Sequence, residues 1–227
     1  MIGVMTLYRS SIGKKVIMAV TGVALIGFVF FHMYGNLKAF LGPAYFNEYS
    51  EGLREIGAPI FGHEHLLWIA RLGLIAAFGL HIWSAVALAR QQQAGRPTKY
   101  VKHTKLEANY ANLTIRYGGI VILLFLLYHL MHFTFGTPGI HPNFEHGNVY
   151  QNLLVGFQSP IVALVYLFAV FTLGVHLYHG TWSMFQTLGL NNKIYDKPLR
   201  LLGWALAIVI FVGFSAVPIS IQLGIIQ

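Results

Sequence analysis

Hydrophobic positions are concentrated in five long stretches of the chain, each about 20 residues long. A helix of that length crosses a hydrocarbon core of about 30 Å, so each stretch is predicted to be a transmembrane helix. The polar segments between them contain Pro and Gly and have the composition of loops and short interfacial helices. The pattern predicts an all-α integral membrane protein with one domain over residues 1–227. The predicted spans are 16–37, 66–88, 113–135, 160–183 and 201–222.

Basic residues are distributed unevenly between the two predicted sides of the membrane. Twelve of the fifteen Lys and Arg residues lie at the amino terminus and in the second and fourth loops, and three lie on the other side. Cytoplasmic loops carry such an excess, so the amino terminus is predicted to be cytoplasmic and the carboxyl terminus to lie outside. The twelve are Arg9, Lys14, Lys15, Arg90, Arg96, Lys99, Lys102, Lys105, Arg116, Lys193, Lys197 and Arg200.

Composition narrows the chemistry that the chain can supply. Its residues are 56% hydrophobic and 10% charged, whereas soluble domains carry about 25% charged residues. The basic loops explain the net charge of +8, so no nucleic-acid partner is expected. The chain has no cysteine, which excludes thiolate metal ligands, cysteine-bound iron–sulfur clusters and covalently attached c-type haem. No cleavable signal precedes the first span, so that span is expected to be permanent.

Six of the eleven histidines lie inside the predicted spans. An ionisable residue in a span is costly and is usually functional. A single one could instead be a neutral imidazole that is hydrogen-bonded to a neighbouring helix. Histidines on four different helices favour a shared role. The six are His32, His81, His129, His132, His176 and His179.

Depth along each helix separates four of these histidines into two layers. At a rise of about 1.5 Å per residue, His32 and His129 lie about 7 Å from the midpoint of their spans toward the outer face. His81 and His176 lie toward the inner face by a similar amount. Two histidine pairs about 14 Å apart, each drawn from two helices, are what two stacked bis-histidine haems require in a helix bundle. The prediction is a four-helix haem-binding bundle with a fifth helix beside it.

Small residues on the first and third spans give this arrangement room. Thr21 and Gly118 stand eleven residues before His32 and His129, which places them on the same helix face but at the level of the other layer. Gly22 and Gly119 stand ten residues before the same histidines. We expect a haem to pass beside the helices there. The alternative is that these glycines only allow close helix packing, as small residues do in membranes.

Two choices of ligand stay open from spacing alone. His132 is one turn from His129, and His179 is one turn from His176, so each could replace its neighbour. Depth favours His129, while spacing hardly distinguishes His176 from His179; His132 and His179 are then candidates for hydrogen bonds to haem propionates or quinone. The loop histidines are interpreted as ordinary interfacial residues, although His63 and His65 flank Glu64 and an outer proton route there is conceivable. They are His63, His65, His103, His141 and His146.

Several motifs together resemble the single-chain di-haem cytochrome b anchor of succinate:quinone oxidoreductase and fumarate reductase, respiratory complex II. The resemblance covers essentially the whole chain. It rests on the first-span residues 10–15 (SSIGKK), 21–22 (TG), 32–33 (HM) and 35–37 (GNL), and on the later pattern of His81 with Arg90, Arg116 with Gly119 and His129, and His176 with Gly180, Trp182 and Phe185.

The resemblance implies a ligand set. His32 and His129 would hold the haem distant from the iron–sulfur subunit, and His81 and His176 the nearer haem, which decides against His179. The pairing agrees with the layers inferred from depth. Gly174 departs from the pattern of some quinol-oxidising members, which carry a glutamate for transmembrane proton transfer at this position, so that path is not expected.

Partners and location also follow from the resemblance. It implies a flavoprotein subunit and an iron–sulfur subunit on the inner face of the bacterial cytoplasmic membrane, with electrons passing from succinate through them to a quinone, and menaquinone is favoured. An oligomer of the whole complex is left open. The basic inner loops are either a docking surface or a signal for topology and anionic lipid. Candidates for propionate or quinone contacts are Ser11, Lys15, Arg116, Arg71, His132 and His179.

Three other interpretations are weighed against this one. A bc-type cytochrome takes both ligands of each helix thirteen or fourteen residues apart, a spacing that no span has. The haem subunit of membrane hydrogenases or formate dehydrogenases has no reason for two layers over four helices. A proton-coupled transporter with a histidine relay should carry acids in its spans, and none of the predicted spans does. A cytochrome purifies red, whereas a transporter purifies colourless.

Overall fold

The five predicted spans are present as five long α-helices. The computed structural model describes residue 8, residues 10–95 and residues 108–227, with the backbone alone for residues 108–114. This described part of the chain contains no β-strand, and its five long helices are apolar enough to cross a membrane, which confirms the predicted all-α fold. In chain order the helices are α1 (Ser11–Leu37), α2 (Pro43–Gly52), α3 (His65–Ala94), α4 (Ala108–His129), α5 (Val149–Phe157), α6 (Pro160–Thr187) and α7 (Asp196–Gln222); α2 and α5 are short.

Two tighter or wider turns extend the long helices. A 3₁₀ turn, Lys38–Leu41, continues α1. A π-helical turn, Leu130–Thr134, continues α4, and within it the Phe135 N–H donates to the Leu130 carbonyl at 2.9 Å. π-helical turns are rare and frequently occur at functional sites. This one directly follows His129 and contains His132.

Helix starts agree with the local sequence. Ser10 caps α1, because its hydroxyl oxygen accepts a hydrogen bond from the Gly13 N–H at 2.9 Å. Pro160 stands at the first position of α6, where its missing N–H would be unpaired in any residue. These signals end the preceding loops and fix where two of the spans enter the bundle.

Polar contacts join parts of the bundle at both of its ends, between long helices at one face and between the short helices and the segments beside them at the other. At the end where α1 begins, called here the amino-terminal face, Lys14 contacts Gln91 and Arg116 donates to Gln92 at 2.7 Å. At the opposite face the Asn47 amide donates to Asn148, and the carboxyl-terminal Gln227 accepts from Tyr150 through its backbone oxygen. Successive long helices therefore run in alternating directions.

The bundle is packed unevenly. α1 packs along α3, α4 packs along α6, and α7 packs along both α6 and α1. A Cβ added to Gly174 would lie 3.4 Å from the Ala207 carbonyl oxygen, which measures how closely α6 and α7 approach. Within the described residues, α1 makes little or no direct backbone contact with α4, and the same holds for α3 and α6.

The largest apolar core lies at the opposite face. Residues from α2, α5, α6 and the end of α7 form it, among them Phe46, Leu153, Phe157 and Val217. In contrast, Ser84 is the only fully buried residue of α3. A second, smaller buried cluster of Met33, Leu177 and Ile210 joins α1, α6 and α7.

Candidate cofactor site formed by two histidine pairs

The first pair joins α1 and α4. The imidazole rings of His32 and His129 have their centres 5.8 Å apart, with planes nearly perpendicular at 82°. Phe28 stacks on His32 and Phe125 lies against His129, so aromatic side chains flank both rings. The two histidines that depth alone placed in one layer are thus neighbours across the bundle.

The second pair joins α3 and α6. The ring centres of His81 and His176 are 6.3 Å apart and the planes cross at 66°. His81 lies beside Thr21 of α1, eleven residues before His32, which places the two pairs about 16 Å apart along α1. The predicted two-layer arrangement, with a separation of about 14 Å, is close to this geometry.

The spacing within each pair fits two ligands on opposite sides of one iron atom. A metal–imidazole bond is about 2 Å long, and the ring centre lies about 1 Å further on, so trans imidazoles on one metal have centres about 6 Å apart. Both measured distances are close to this value. The helix backbones that carry the paired histidines are not in close contact, as a group held between the two helices would require.

The free ring nitrogens also fit metal coordination. Among the described residues, no hydrogen bond reaches Nε2 of His32, His129 or His176. All four paired histidines remain half-buried although they lie within the bundle. The Nδ1 atom of His176 is buried and has no protein partner. The three Nε2 atoms are therefore available to bind a metal, which would not by itself provide a partner for Nδ1 of His176.

Thr21 orients the His81 ring of the His81–His176 pair. Its hydroxyl lies 2.7 Å from the Ile17 carbonyl oxygen, to which it donates, and its oxygen lies 3.3 Å from Nδ1 of His81. The threonine oxygen therefore accepts from Nδ1–H of the imidazole. That tautomer leaves the lone pair on Nε2, which is the form that binds metal. Sequence reasoning placed Thr21 at this level but assigned it only a role in making space.

Tyr166 is a second orienting residue that sequence reasoning missed. It is buried in α6, and its hydroxyl lies 3.3 Å from Nδ1 of His129 and 2.9 Å from Nδ1 of His132. A buried tyrosine in an apolar span gives no signal in the sequence that distinguishes it from a core aromatic. Its partners lie 34 and 37 positions away along the chain, so only the folded structure brings them together.

The neighbouring histidines take other positions. His132 is fully buried and lies against His141, with ring centres 5.1 Å apart, whereas His32 has His129 as its partner. His179 contacts Tyr178, and His81 faces His176. The structure therefore brings together the four histidines favoured at the sequence level. Their role as metal ligands stays a prediction.

The interpretation of His141 as an ordinary interfacial residue is wrong. Its side chain is 2% exposed, and its Nε2 lies 2.9 Å from the Asn152 carbonyl oxygen. The loop after the π-helical turn folds back over the opposite face and buries this ring beside His132. A loop position close to Pro and Gly gave no indication of such burial.

The small residues of α1 and α4 serve different purposes. A Cβ on Gly22 would lie 3.6 Å from Cε1 of His81, so this glycine sits directly beside the ring. Around Gly119 no described atom lies within 4 Å of a Cβ position, which agrees with the expected open space. Gly118 instead packs on α6, at 3.4 Å from Cγ2 of Thr172. For Gly118, this contact agrees with the alternative interpretation, in which the glycine only allows close helix packing.

The cationic and polar candidates lie at the helix ends. Ser11, Lys15 and Arg116 are exposed at the amino-terminal face, where Arg116 donates to Gln92. Arg71 is half-buried and lies over the Trp68 ring at 4.9 Å. The basic residues Arg96, Lys99, Lys102 and Lys105 lie outside the described residues.

Of the other loop histidines, His63 has the clearest partner. Its Nδ1 pairs with a carboxylate oxygen of Glu55, and this hydrogen bond raises the pKa of the exposed His63 imidazole. Glu51, Glu55 and His63 form an exposed cluster whose ligand atoms lie within 4.8 Å of one another. His65 accepts from the Gly62 N–H, His146 lies against Phe144, and His103 lies outside the described residues.

Comparison with known proteins adds no relative to this geometry. No protein-family model, no curated protein and no solved structure matches the chain. The function is therefore inferred from the residues of this chain and their geometry.

Proposed function

We propose that this chain is a transmembrane cytochrome b that holds two haems, each between two histidines, and that it is the membrane-anchor subunit of a succinate:quinone oxidoreductase or fumarate reductase. The observation that carries the proposal is the pair of facing imidazoles in each of two layers, with ring centres 5.8 and 6.3 Å apart. One isolated pair could be ordinary packing. Two pairs with metal-like spacing, on four different helices, call for a shared purpose.

The chain's own residues would hold each haem from both sides. His32 and His129 would hold the haem nearer the opposite face, and His81 and His176 the haem nearer the amino-terminal face. A haem held between two imidazoles would supply one-electron transfer and would leave no site for oxygen or substrate. Thr21 and Tyr166 hold one ring of each pair in the tautomer that presents Nε2. The apolar spans around the site exclude water.

Partners are assigned by the resemblance to the di-haem anchor of complex II. The amino-terminal face would carry a flavoprotein and an iron–sulfur subunit, and exposed basic residues such as Lys15, Arg116 and Lys197 favour an acidic partner there. Electrons then pass from succinate through those subunits and this chain to a quinone, with menaquinone preferred. The chain itself binds no dicarboxylate.

The proposed orientation follows the basic residues. The amino-terminal face would lie in the cytoplasm and the carboxyl terminus on the other side of a bacterial cytoplasmic membrane. At the position of the glutamate that some quinol-oxidising members use for proton transfer, Gly174 packs on the backbone of α7. Since glycine carries no carboxylate, the proposal includes no proton path of that kind.

The first experiment is haem quantitation on the chain purified in detergent without partner subunits. The expected result is two b-type haems per chain by pyridine haemochrome analysis. A colourless protein that is folded by circular dichroism would contradict the proposal and favour the histidine-relay transporter. Co-purification of succinate-oxidising activity with the tagged chain from its native membrane then separates the complex II assignment from other membrane oxidoreductases.

A further inference from the structure

The two histidine pairs share an unusual asymmetry. In each pair one imidazole is anchored through Nδ1 by a hydroxyl group: Thr21 holds His81, and Tyr166 contacts His129. The other ring has no such anchor, since Nδ1 of His176 is buried without a partner and no hydrogen bond to the His32 ring is present in the described part of the chain. The two anchoring hydroxyls differ in their second partner. Thr21 donates to a carbonyl of its own helix, whereas Tyr166 also contacts the buried ring of His132.

The hydrogen bond of His141, which lies beyond His132, fixes the tautomer of its neutral ring. His141 Nε2 lies 2.9 Å from the Asn152 carbonyl oxygen, which can only accept, so this nitrogen carries the hydrogen. In the neutral ring the lone pair is then on Nδ1. That nitrogen is buried and has no protein partner, and the same is true of Nε2 of His132. The two rings are in contact, with centres 5.1 Å apart, but no hydrogen bond joins them.

On the other side of Tyr166, metal binding by His129 would fix the direction of the hydrogen bond between these two residues. Nε2 of His129 must then carry the lone pair, so its Nδ1 carries the hydrogen and donates to the Tyr166 oxygen. The Tyr166 hydroxyl is free to donate to Nδ1 of His132, at 2.9 Å. This leaves the His132 hydrogen on Nε2, directed away from the tyrosine. His129, Tyr166 and His132 thus have one consistent set of hydrogen-bond directions, which ends at His132.

The side chains of Tyr166, His132 and His141 are buried, and His141 is hydrogen-bonded at the opposite face. Tyr166, His132 and His141 are 7%, 0% and 2% exposed. Asn152, whose carbonyl accepts from His141, donates its amide to the Glu145 carbonyl at 2.7 Å and accepts from the Glu145 N–H at 2.8 Å. These hydrogen bonds fix the His141 ring in place beside His132.

On the basis of the proposed function, we propose that Tyr166 is a positioning residue that holds His129 and strengthens it as an electron donor to iron, with His132 polarising the tyrosine hydroxyl as its hydrogen-bond acceptor. A hydrogen-bond acceptor on the distal nitrogen of a metal-bound imidazole raises the basicity of the ligand. A more basic ligand favours the oxidised iron. The haem held by His32 and His129 therefore has a lower reduction potential than it would have without Tyr166.

The test is a redox titration of both haems in the purified chain, followed optically and by electron paramagnetic resonance. Tyr166→Phe removes the hydroxyl and keeps the ring. The matched control is Tyr128→Phe, since Tyr128 stacks on His132 at 5.5 Å but is not hydrogen-bonded to it. We expect a positive shift in potential and a changed low-spin resonance for the haem that His32→Ala removes, and no shift of either haem in the control.

An unchanged potential in Tyr166→Phe would overturn the inference, as would an equal shift in Tyr128→Phe. If Tyr166→Phe loses haem, His132→Leu decides, because it removes only the polarising partner; a smaller positive shift of the same haem supports the inference and no shift overturns it. A wild-type chain without haem would reject the proposed function itself. Two haems with normal ligand variants but no response to Tyr166→Phe would reject the positioning role alone.

Discussion

Thr21 and His81 come from different helices and are held together by a hydrogen bond, with the threonine Oγ1 3.3 Å from the imidazole Nδ1. The same oxygen donates to the Ile17 carbonyl, so it is available to the imidazole only as an acceptor. This contact fixes the ring of His81, sets its tautomer and aligns α1 with α3 at the level of the His81–His176 pair.

Loss of the Thr21 hydroxyl is expected to weaken only the haem site formed by His81 and His176. Thr21→Val keeps the shape of the side chain but removes the acceptor, and loss of such a supporting partner lowers metal affinity roughly 10- to 100-fold. Haem retention after detergent washing, measured by absorbance, should fall for the His81–His176 site and stay unchanged for the other.

The matched control is Thr172→Val. Thr172 also donates to the carbonyl four residues earlier, but it contacts no imidazole. Equal haem loss in both variants would show that helix packing, rather than the hydrogen bond to His81, explains the effect.

Gly119 tests whether the open space beside α4 is used. No described atom lies near the position of its missing side chain, so Gly119→Leu should be tolerated by the helices themselves. If a haem occupies that space, the leucine displaces it and haem per chain falls, while helix content by circular dichroism is unchanged. Gly73→Leu, at an exposed glycine of α3 with nothing nearby, should keep full haem content. Full haem content in Gly119→Leu would contradict this use of the space.

Close packing of α6 and α7 is expected to depend on Gly203. A Cβ at this position would lie 2.9 Å from the Tyr178 carbonyl oxygen, which belongs to the backbone and cannot rotate away. Gly203→Ala should destabilise the protein by about 1–3 kcal/mol through overpacking. Gly73→Ala should be neutral or stabilising, by up to about 1 kcal/mol, because its surroundings are open. Thermal unfolding in detergent compares the two, and equal melting temperatures would refute the packing argument.

The loop before α3 should respond to pH through His63. The hydrogen bond with Glu55 raises the pKa of His63, so the ion pair is fully formed below the ordinary histidine pKa of about 6.5 and is lost as the pH rises through the raised value. Glu55→Gln should lower the His63 pKa, followed by NMR of the imidazole carbon protons. Glu48→Gln should leave it unchanged. An identical titration in wild type and Glu55→Gln would exclude the pair.

Much of the fold was predictable, and the errors in the helix bounds are systematic. At the opposite face four of the five predicted ends agree with the helix bounds within one residue; α4 ends at His129, six residues before the predicted end, and the π-helical turn Leu130–Thr134 continues it. At the amino-terminal face all five helices extend four to six residues beyond the predicted spans. Hydropathy reports only the part of a helix that contacts lipid, and at this face the helices continue through polar residues such as Lys14 and Gln91.

The histidine layers were predictable because helix geometry converts sequence position into depth. The orienting residues were not. Tyr166 reaches His132 across 34 positions, and His141 is buried by a loop that folds back over the bundle. Neither periodicity nor composition carries that tertiary information. Gly118 and Gly119, adjacent in sequence, face a neighbouring helix and open space respectively, and single-residue spacing arguments could not separate them.

The central claim is that four histidines form two separate haem sites. The most direct measurement is the reduced-minus-oxidised spectrum, with haem quantitation, of the purified His32→Ala, His129→Ala, His81→Ala and His176→Ala variants. The account predicts that the first two variants lose the same haem and that the last two lose the other. Two haems retained in all four variants, or losses that pair His32 with His81, would contradict it.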